Sequence, residues 1–294
     1  MDMTLAVWRS ITTLDNSFFE QHFHKGHLMD LKLSGQHVLI TGGSKGIGLA
    51  CAQGFLREGA MVSLVSRSPA NLDTALEALL LEQPDAKGRI GLFAADLKAP
   101  AEAERALAQA EALHGAVDVL VNSAGAAQRT VPDELNAQAW RDAMDAKFFT
   151  YVHMIDLVVK KMGLRGQGAI INIVGAGGKV ASPYHLPGGA ANAALMLISA
   201  GLAAAYGPKG VRVNAVNPGA TFTDRLKTGL VTAAKLSAIS VEEALKQATQ
   251  KVPLGRLAQP EEIANAVLFL ASPCASYVTG AILSMDGAAT PMLV

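Results

Sequence analysis

The sequence predicts an α/β protein built as one domain on a doubly wound, seven-stranded parallel sheet. From about His37 onward, short runs rich in β-branched residues alternate with longer alanine-rich stretches, the pattern of βα units around a parallel sheet. The apolar runs are continuous rather than alternating, as strands covered on both faces require. Val38, Leu39 and Ile40 carry a first strand at 37–41; Val62 and Val65 a second at 60–66; Ile90 and Phe93 a third at 89–94. Val119 and Val121 mark a fourth at 117–122, Ile170 and Ile171 a fifth at 169–174, Val213 and Val216 a sixth at 211–217, and Ile282 and Leu283 the last at 281–285. Helices are expected near 46–58, 71–81, 100–114, 139–162, 189–206 and 260–271. Ligands of such sheets bind beyond the carboxyl ends of the strands.

Two segments break the rhythm. Residues 1–28 join a few apolar residues to His22, His24 and His27. A metal site needs a fixed geometry and a second shell that a terminal tail seldom supplies, so the expectation is a flexible extension and no metal. The domain then runs over 29–294. Within it, residues 223–251 are helical by periodicity and sit where a segment closes over a ligand or simply packs as a helix pair.

Composition limits the rest. With 294 residues, 50% hydrophobic and 17% charged, the chain is less charged than the roughly 25% of average domains, which excludes disorder and fibres. Lys and Arg number 25 and Asp and Glu 25, so no basic excess marks a nucleic-acid or anionic-membrane partner. No uncharged apolar stretch is expected to reach the roughly 18 residues of a membrane span. Arg9 and Ser10 interrupt the first apolar residues, and Asp2, Asp15 and Glu20 argue against a transit peptide. Cys51 and Cys274 alone cannot make a disulfide framework, which fits a reducing cytoplasm.

The first strand ends at Thr41 and runs through Gly42-Gly43-Ser44-Lys45-Gly46-Ile47-Gly48 into a helix. Glycines there let the backbone turn tightly and approach a ligand, and the amides at the helix start suit a pyrophosphate. Strand before, helix after and a second strand some twenty residues on make this a Rossmann-type dinucleotide site. The second strand ends in Ser66-Arg67, where an NAD-selective site would carry a carboxylate. Arg67, with Lys45, favours the 2′-phosphate of NADP(H) over NAD(H); two solvated surface cations are the alternative.

Several motifs now resemble the short-chain dehydrogenase/reductase family over roughly residues 33–288. Thr41, Gly42, Gly46 and Gly48 match its glycine motif, and Asp96-Leu97 its acidic position near the adenine. Asn122-Ser123-Ala124-Gly125 looks like its Asn-Asn-Ala-Gly turn with one Asn changed to Ser. Pro218-Gly219 followed by Thr223 matches the motif that receives the nicotinamide carboxamide, and Pro253-Leu254-Gly255-Arg256, Pro260-Glu261-Glu262 and Asp286-Gly287 resemble its C-terminal signature. The resemblance implies an oxidoreductase of small carbonyls or alcohols, and a homodimer or homotetramer paired through the helices near 139 and 189.

The family's catalytic residues do not carry over. Counting back from Pro218-Gly219, its Tyr falls on Gly188 and its Lys on Asn192; its Ser falls on Gly175 and its Asn on Lys147. Tyr151, Tyr184, Tyr206 and Tyr277 are the only tyrosines, and none has a Lys four residues later. A positioned acid or base is typically worth about 10² to 10⁴ in rate. Tyr184 and His185 precede Gly188 and are candidate substitutes, His being the better proton carrier near neutral pH, or else ordinary loop residues. Lys147 and Asn192 exchange the family's residue types, so Lys147 is a candidate for restoring positive charge near the nicotinamide ribose. Two readings stay open: an NADP(H)-dependent oxidoreductase with a rearranged proton donor, and an NADP(H)-binding protein without turnover.

Overall fold

The computed structural model describes residues 30–125 and 130–292. The seven strands are β1 (His37–Thr41), β2 (Met61–Ser66), β3 (Ile90–Ala94), β4 (Val119–Asn122), β5 (Gly168–Ile173), β6 (Val211–Pro218) and β7 (Ile282–Met285). They form one parallel sheet in the order β3-β2-β1-β4-β5-β6-β7. The chain therefore reverses its winding between β1 and β4, and a crevice opens there at the carboxyl ends of the strands. Thr41, the last residue of β1, pairs with Asn122, the last of β4, across that opening.

The helices are α1 (Gly46–Arg57), α2 (Pro69–Glu82), α3 (Pro100–His114), α4 (Ala137–Ala143), α5 (Thr150–Arg165), α6 (Leu186–Tyr206), α7 (Asp224–Ser237), α8 (Val241–Gln250) and α9 (Pro260–Ala271). One face of the sheet buries Phe55 and Leu56 of α1 with Val267 and Leu268 of α9. The other buries Leu107 of α3, Tyr151 and Met154 of α5, and Leu195 of α6. Both faces are thus covered, which is why the strands read as unbroken apolar runs.

Two sequence expectations need correction. The single helix expected at 139–162 is three pieces, because a π-helical turn at Met144–Phe149 separates α4 from α5. Such a turn holds one extra residue per repeat and is frequent at functional sites. The expectation that no uncharged stretch is long enough to span a membrane also fails, since Leu186–Lys209 is long and apolar enough by length and composition. Its apolarity has a local cause. Ala191, Leu195, Met196, Ser199 and Ala203 face inward, and Ala190, Ala193, Leu197, Ala200 and Ala204 lie exposed along the other side.

Segment 223–251 is a helix pair with its own small cluster of Leu230, Ala234 and Ala244. Thr223 Oγ1 caps α7 by accepting from Leu226 N at 3.4 Å, and Ser240 Oγ caps α8 by accepting from Glu243 N at 3.1 Å. From Leu31 onward the described residues make up one compact unit. The extension expected at 1–28, with His22, His24 and His27, lies outside the described residues.

Candidate active site

At the carboxyl end of β1 the chain turns sharply at Gly42, whose φ is +68°, and enters α1. Only glycine fits: a Cβ on Gly42 would lie 2.7 Å from the Ala124 backbone, and one on Gly48 would run into the Gly42 carbonyl. Lys45 is the N-cap residue of α1 but gives it no side-chain cap, and the first turn carries no acidic residue. The first-turn amides are left facing the crevice with the positive end of the helix dipole, a cradle for an anion.

A chain of buried hydrogen bonds fixes the floor. Thr41 Oγ1 donates to Asn122 Oδ1 at 3.2 Å, and accepts from Ser123 N at 3.3 Å and Ala124 N at 3.4 Å. Asn122 Nδ2 donates to Asn172 Oδ1 at 3.0 Å, Asn172 Nδ2 to Ser199 Oγ at 2.9 Å, and Ser199 Oγ to the Leu195 carbonyl at 2.6 Å. Three strand ends and α6 are thereby locked in one register, and each buried polar group is satisfied.

Beside the glycine turn lies a cleft of about 140 Å³ that opens to solvent. It brings together Gly42, Ser66, Arg67, Asp96, Leu97, Ala124 and Gly125, all named from sequence, with Val65, Ala95, Lys98, Ala146 and Thr150, which were not. Ser44 Oγ donates to Ser66 Oγ at 2.9 Å and ties the glycine turn to the end of β2. Asp96 Oδ1 accepts from Lys98 N at 3.2 Å, which holds the loop after β3. Lys45 is exposed and Ile47 half-buried beyond the lining. On the far side, Pro218 ends β6 and Gly219 follows it, and a Cβ on Gly46 would lie 3.2 Å from Thr223 Cγ2. The glycine turn and the Thr223 segment therefore meet, as a ligand spanning both requires.

The other end of the site differs from the family pattern in a definite way. Gly188 and Asn192 are buried one turn apart in α6. A Cβ on Gly175 would sit 3.2 Å from Asn192 Nδ2, so the positions of the family's Ser, Tyr and Lys do converge here. Asn192 is 5% exposed and its Oδ1 has no hydrogen-bond partner. A Cβ on Gly177 would lie 3.1 Å from His185 Cδ2 and 3.9 Å from Asn192 Nδ2, so the His185 ring borders the same strip. Tyr184 is 49% exposed.

Lys147 sits in the π turn and is 7% exposed. Its Nζ donates to Tyr151 Oη at 2.6 Å and to the Ile173 carbonyl at 3.1 Å, while Tyr151 Oη donates to that same carbonyl at 2.7 Å. Burial first, and the Arg225 charge second, pull the Lys147 amine down to about 7. Burial pushes the Tyr151 phenol above its ordinary range, so Tyr151 stays protonated. Arg225, which the sequence did not single out, donates across the crevice to the Gly125 carbonyl. Among the described residues no three His, Cys, Asp or Glu gather as a metal site.

A parallel sheet with this switch point, glycine turn and flanking cleft defines a dinucleotide-fold protein of the α/β oxidoreductase class. Residues 42–290 match a family model described as enoyl-(acyl carrier protein) reductase. A 3alpha-hydroxysteroid dehydrogenase of Mediterraneibacter gnavus is 37% identical over 89% of this chain and 99% of its own. A D-threitol dehydrogenase of Mycolicibacterium smegmatis is 34% identical over 89% and 95%. Among solved structures, the L-sorbose reductase of Gluconobacter frateurii complexed with NADPH and L-sorbose matches with a TM-score of 0.83 and 30% identity, over 90% of this chain and 100% of that one. An actinorhodin polyketide ketoreductase with NADPH matches at 0.82 and 30%, over 86% and 97%. The chain belongs to the short-chain dehydrogenase/reductase family.

Proposed function

We propose that the protein is an NADP(H)-dependent oxidoreductase of a small carbonyl or alcohol, with a proton donor other than the family's Tyr. The observation that carries this is the cradle at α1 opening onto a cleft edged by Ser66 and Arg67 with no acidic residue at the end of β2. The residues fit the cofactor at both ends. Uncapped amides and the bare Gly42 and Gly48 suit its diphosphate, and Arg67 with Ser66 suits a 2′-phosphate. At the nicotinamide end, the unpartnered Oδ1 of Asn192 suits a ribose hydroxyl. When bound, the dinucleotide supplies or accepts the hydride. This chain's part is to orient the two reactants, with Asn192 among the orienting groups, exclude water, and hold the proton with a group drawn from Lys147, Tyr184 and His185. Relatives whose names carry sugars, polyols and NADPH support the carbonyl or alcohol class.

Glycine at 175 and 188 favours a second reading, a cofactor-binding protein without turnover. Titration with NADPH followed by a panel of aldehydes and ketones separates the two: binding with oxidation supports the first, binding without it the second. Arg67→Glu is expected to weaken NADPH binding about 10-fold or more while leaving NADH binding unchanged or improved, since a charge-assisted contact is worth roughly 1.5–3 kcal/mol. Equal loss for both cofactors would refute the 2′-phosphate assignment.

The exposed apolar stripe of α6, with Leu197 75% exposed, suits a homodimer or homotetramer interface. Leu197→Arg should lower the assembly state in sedimentation, and an unchanged mass would exclude that stripe. A reducing cytoplasmic setting suits a chain whose only cysteines are Cys51 and Cys274, too few for a disulfide framework.

A further inference from the structure

We infer that Lys147 gives the proton to the reacting oxygen during reduction and takes it back during oxidation, with Tyr151 as its positioning residue; this rests on the redox reading above. Among the described residues Lys147 is the only buried Lys, Arg, Asp or Glu. An ammonium taken out of water without a carboxylate costs stability, so its retention asks for a use.

Its placement supplies one. Ala146 and Thr150, on either side along the π turn, line the cleft. The side chain passes under Gly125, where a Cβ would lie 3.1 Å from Lys147 Cδ and run into the Ala146 carbonyl. With φ at +99°, Gly125 is what lets the π turn come this close. The Nζ then ends at the Ile173 carbonyl, two residues before Gly175, and it is against Gly175 that Asn192 packs, its Nδ2 lying 3.2 Å from where a Cβ there would sit. The Lys that the family carries in α6 is absent there, and this amine reaches the strand end from the opposite wall.

Tyr151 Oη and the Ile173 carbonyl each accept from Nζ, which fixes the amine's position and spends two of the ammonium's three protons on held contacts. The third is the one to transfer. In reduction the carbonyl π bond breaks, hydride from the reduced dinucleotide makes the new C–H bond, and the Lys147 ammonium proton makes the O–H bond. The dinucleotide leaves oxidised and the neutral amine regains a proton from water. An amine that ionises near 7 is matched to that exchange at neutral pH. The groups acting on it are Tyr151 on its own side and Arg225 beyond Gly125; α6, which packs on the π turn, carries His185 at its N-cap, beside Gly177.

The test uses full-length protein labelled at lysine Cε with ¹³C, the Lys147 resonance being the one absent from Lys147→Met, together with kcat against pH for NADPH-driven reduction of the best carbonyl in the panel. Lys147 is expected to titrate within about one pH unit of 7, and kcat to fall on the alkaline side with the same midpoint. Lys147→Met should lower kcat about 10²-fold or more while NADPH affinity stays within about threefold. Tyr151→Phe removes an acceptor from the ammonium and should move both the resonance and the alkaline arm to lower pH. A Lys147 that remains protonated through pH 10 overturns the assignment whatever the activities of the variants. So does an active Lys147→Met with the wild-type profile, or a neutral-pH arm that His185→Gln removes instead. Wild type that binds NADPH but reduces nothing in the panel sinks the redox reading and this proposal with it, whereas active wild type with an equally active Lys147→Met sinks the proposal alone.

Discussion

Gly48→Ala is expected to weaken NADPH binding by about 10² to 10⁴. The added methyl group meets the Gly42 carbonyl and lies 3.1 Å from Gly43 Cα. These are backbone atoms of the same turn, so no flexible side chain can yield; the turn itself must open. Opening it moves the first-turn amides of α1 away from the diphosphate. A hydrogen bond to a charged group contributes roughly 1.5–3 kcal/mol, so losing two removes roughly 3–6 kcal/mol, at about 1.4 kcal/mol per tenfold. Gly88→Ala is the control, because a Cβ there meets nothing within 4 Å. Calorimetric titration of both variants decides: equal affinities for Gly48→Ala and wild type would refute the helix-terminus cradle, and a loss in Gly88→Ala would assign the effect to glycine substitution in general.

How much of this was legible in the sequence depends on the range of the forces involved. All seven strands and their order along the chain could be read because β-branched runs and flanking glycines act locally; α3 and α9 match their expected bounds at both ends. The glycine turn, Ser66, Arg67 and Asp96 could be read because each lies at or just past the end of a strand, β1, β2 or β3, and the strands themselves are legible. What stayed hidden depends on partners distant in sequence or on small changes of helical pitch. One extra residue in the turn at Met144–Phe149 leaves the apolar periodicity nearly intact, so the π turn leaves no pattern to see. Tyr151 matches no catalytic pattern because no Lys follows it by four residues, yet its partner is Lys147, which precedes it by four. Arg225 reaches Gly125 across 100 positions of sequence, and no local signal announces that contact. Asn192 was named for its place in a motif; that its Oδ1 is left without a partner emerges only once Gly175, Gly177 and α6 are packed.

Lys147→Met is expected to be more stable than wild type at neutral pH, by an amount that shrinks as pH rises. The sign follows from proton counting. Lys147 ionises near 7 in the folded chain and near 10.5 when unfolded. Below about 7 both states hold the proton, and the folded protein bears the whole cost of a buried ammonium. Between 7 and 10.5 the unfolded chain holds more protons than the folded one, so folding stability climbs with pH across that window. At about 1.4 kcal/mol per tenfold change in proton affinity, the relief over the whole window is on the order of 5 kcal/mol. Methionine has nothing to titrate and fills a similar length, and Tyr151 Oη keeps its bond to the Ile173 carbonyl in its absence. Urea unfolding of both proteins at pH 6.5, 8 and 9.5, at one protein concentration so that assembly cancels, should show the variant's advantage narrowing at each step. Other groups titrate alike in the two proteins and drop out of the difference. A gap independent of pH would mean that Lys147 keeps its charge throughout, held by an interaction that offsets burial, and an amine so held could not exchange protons at neutral pH.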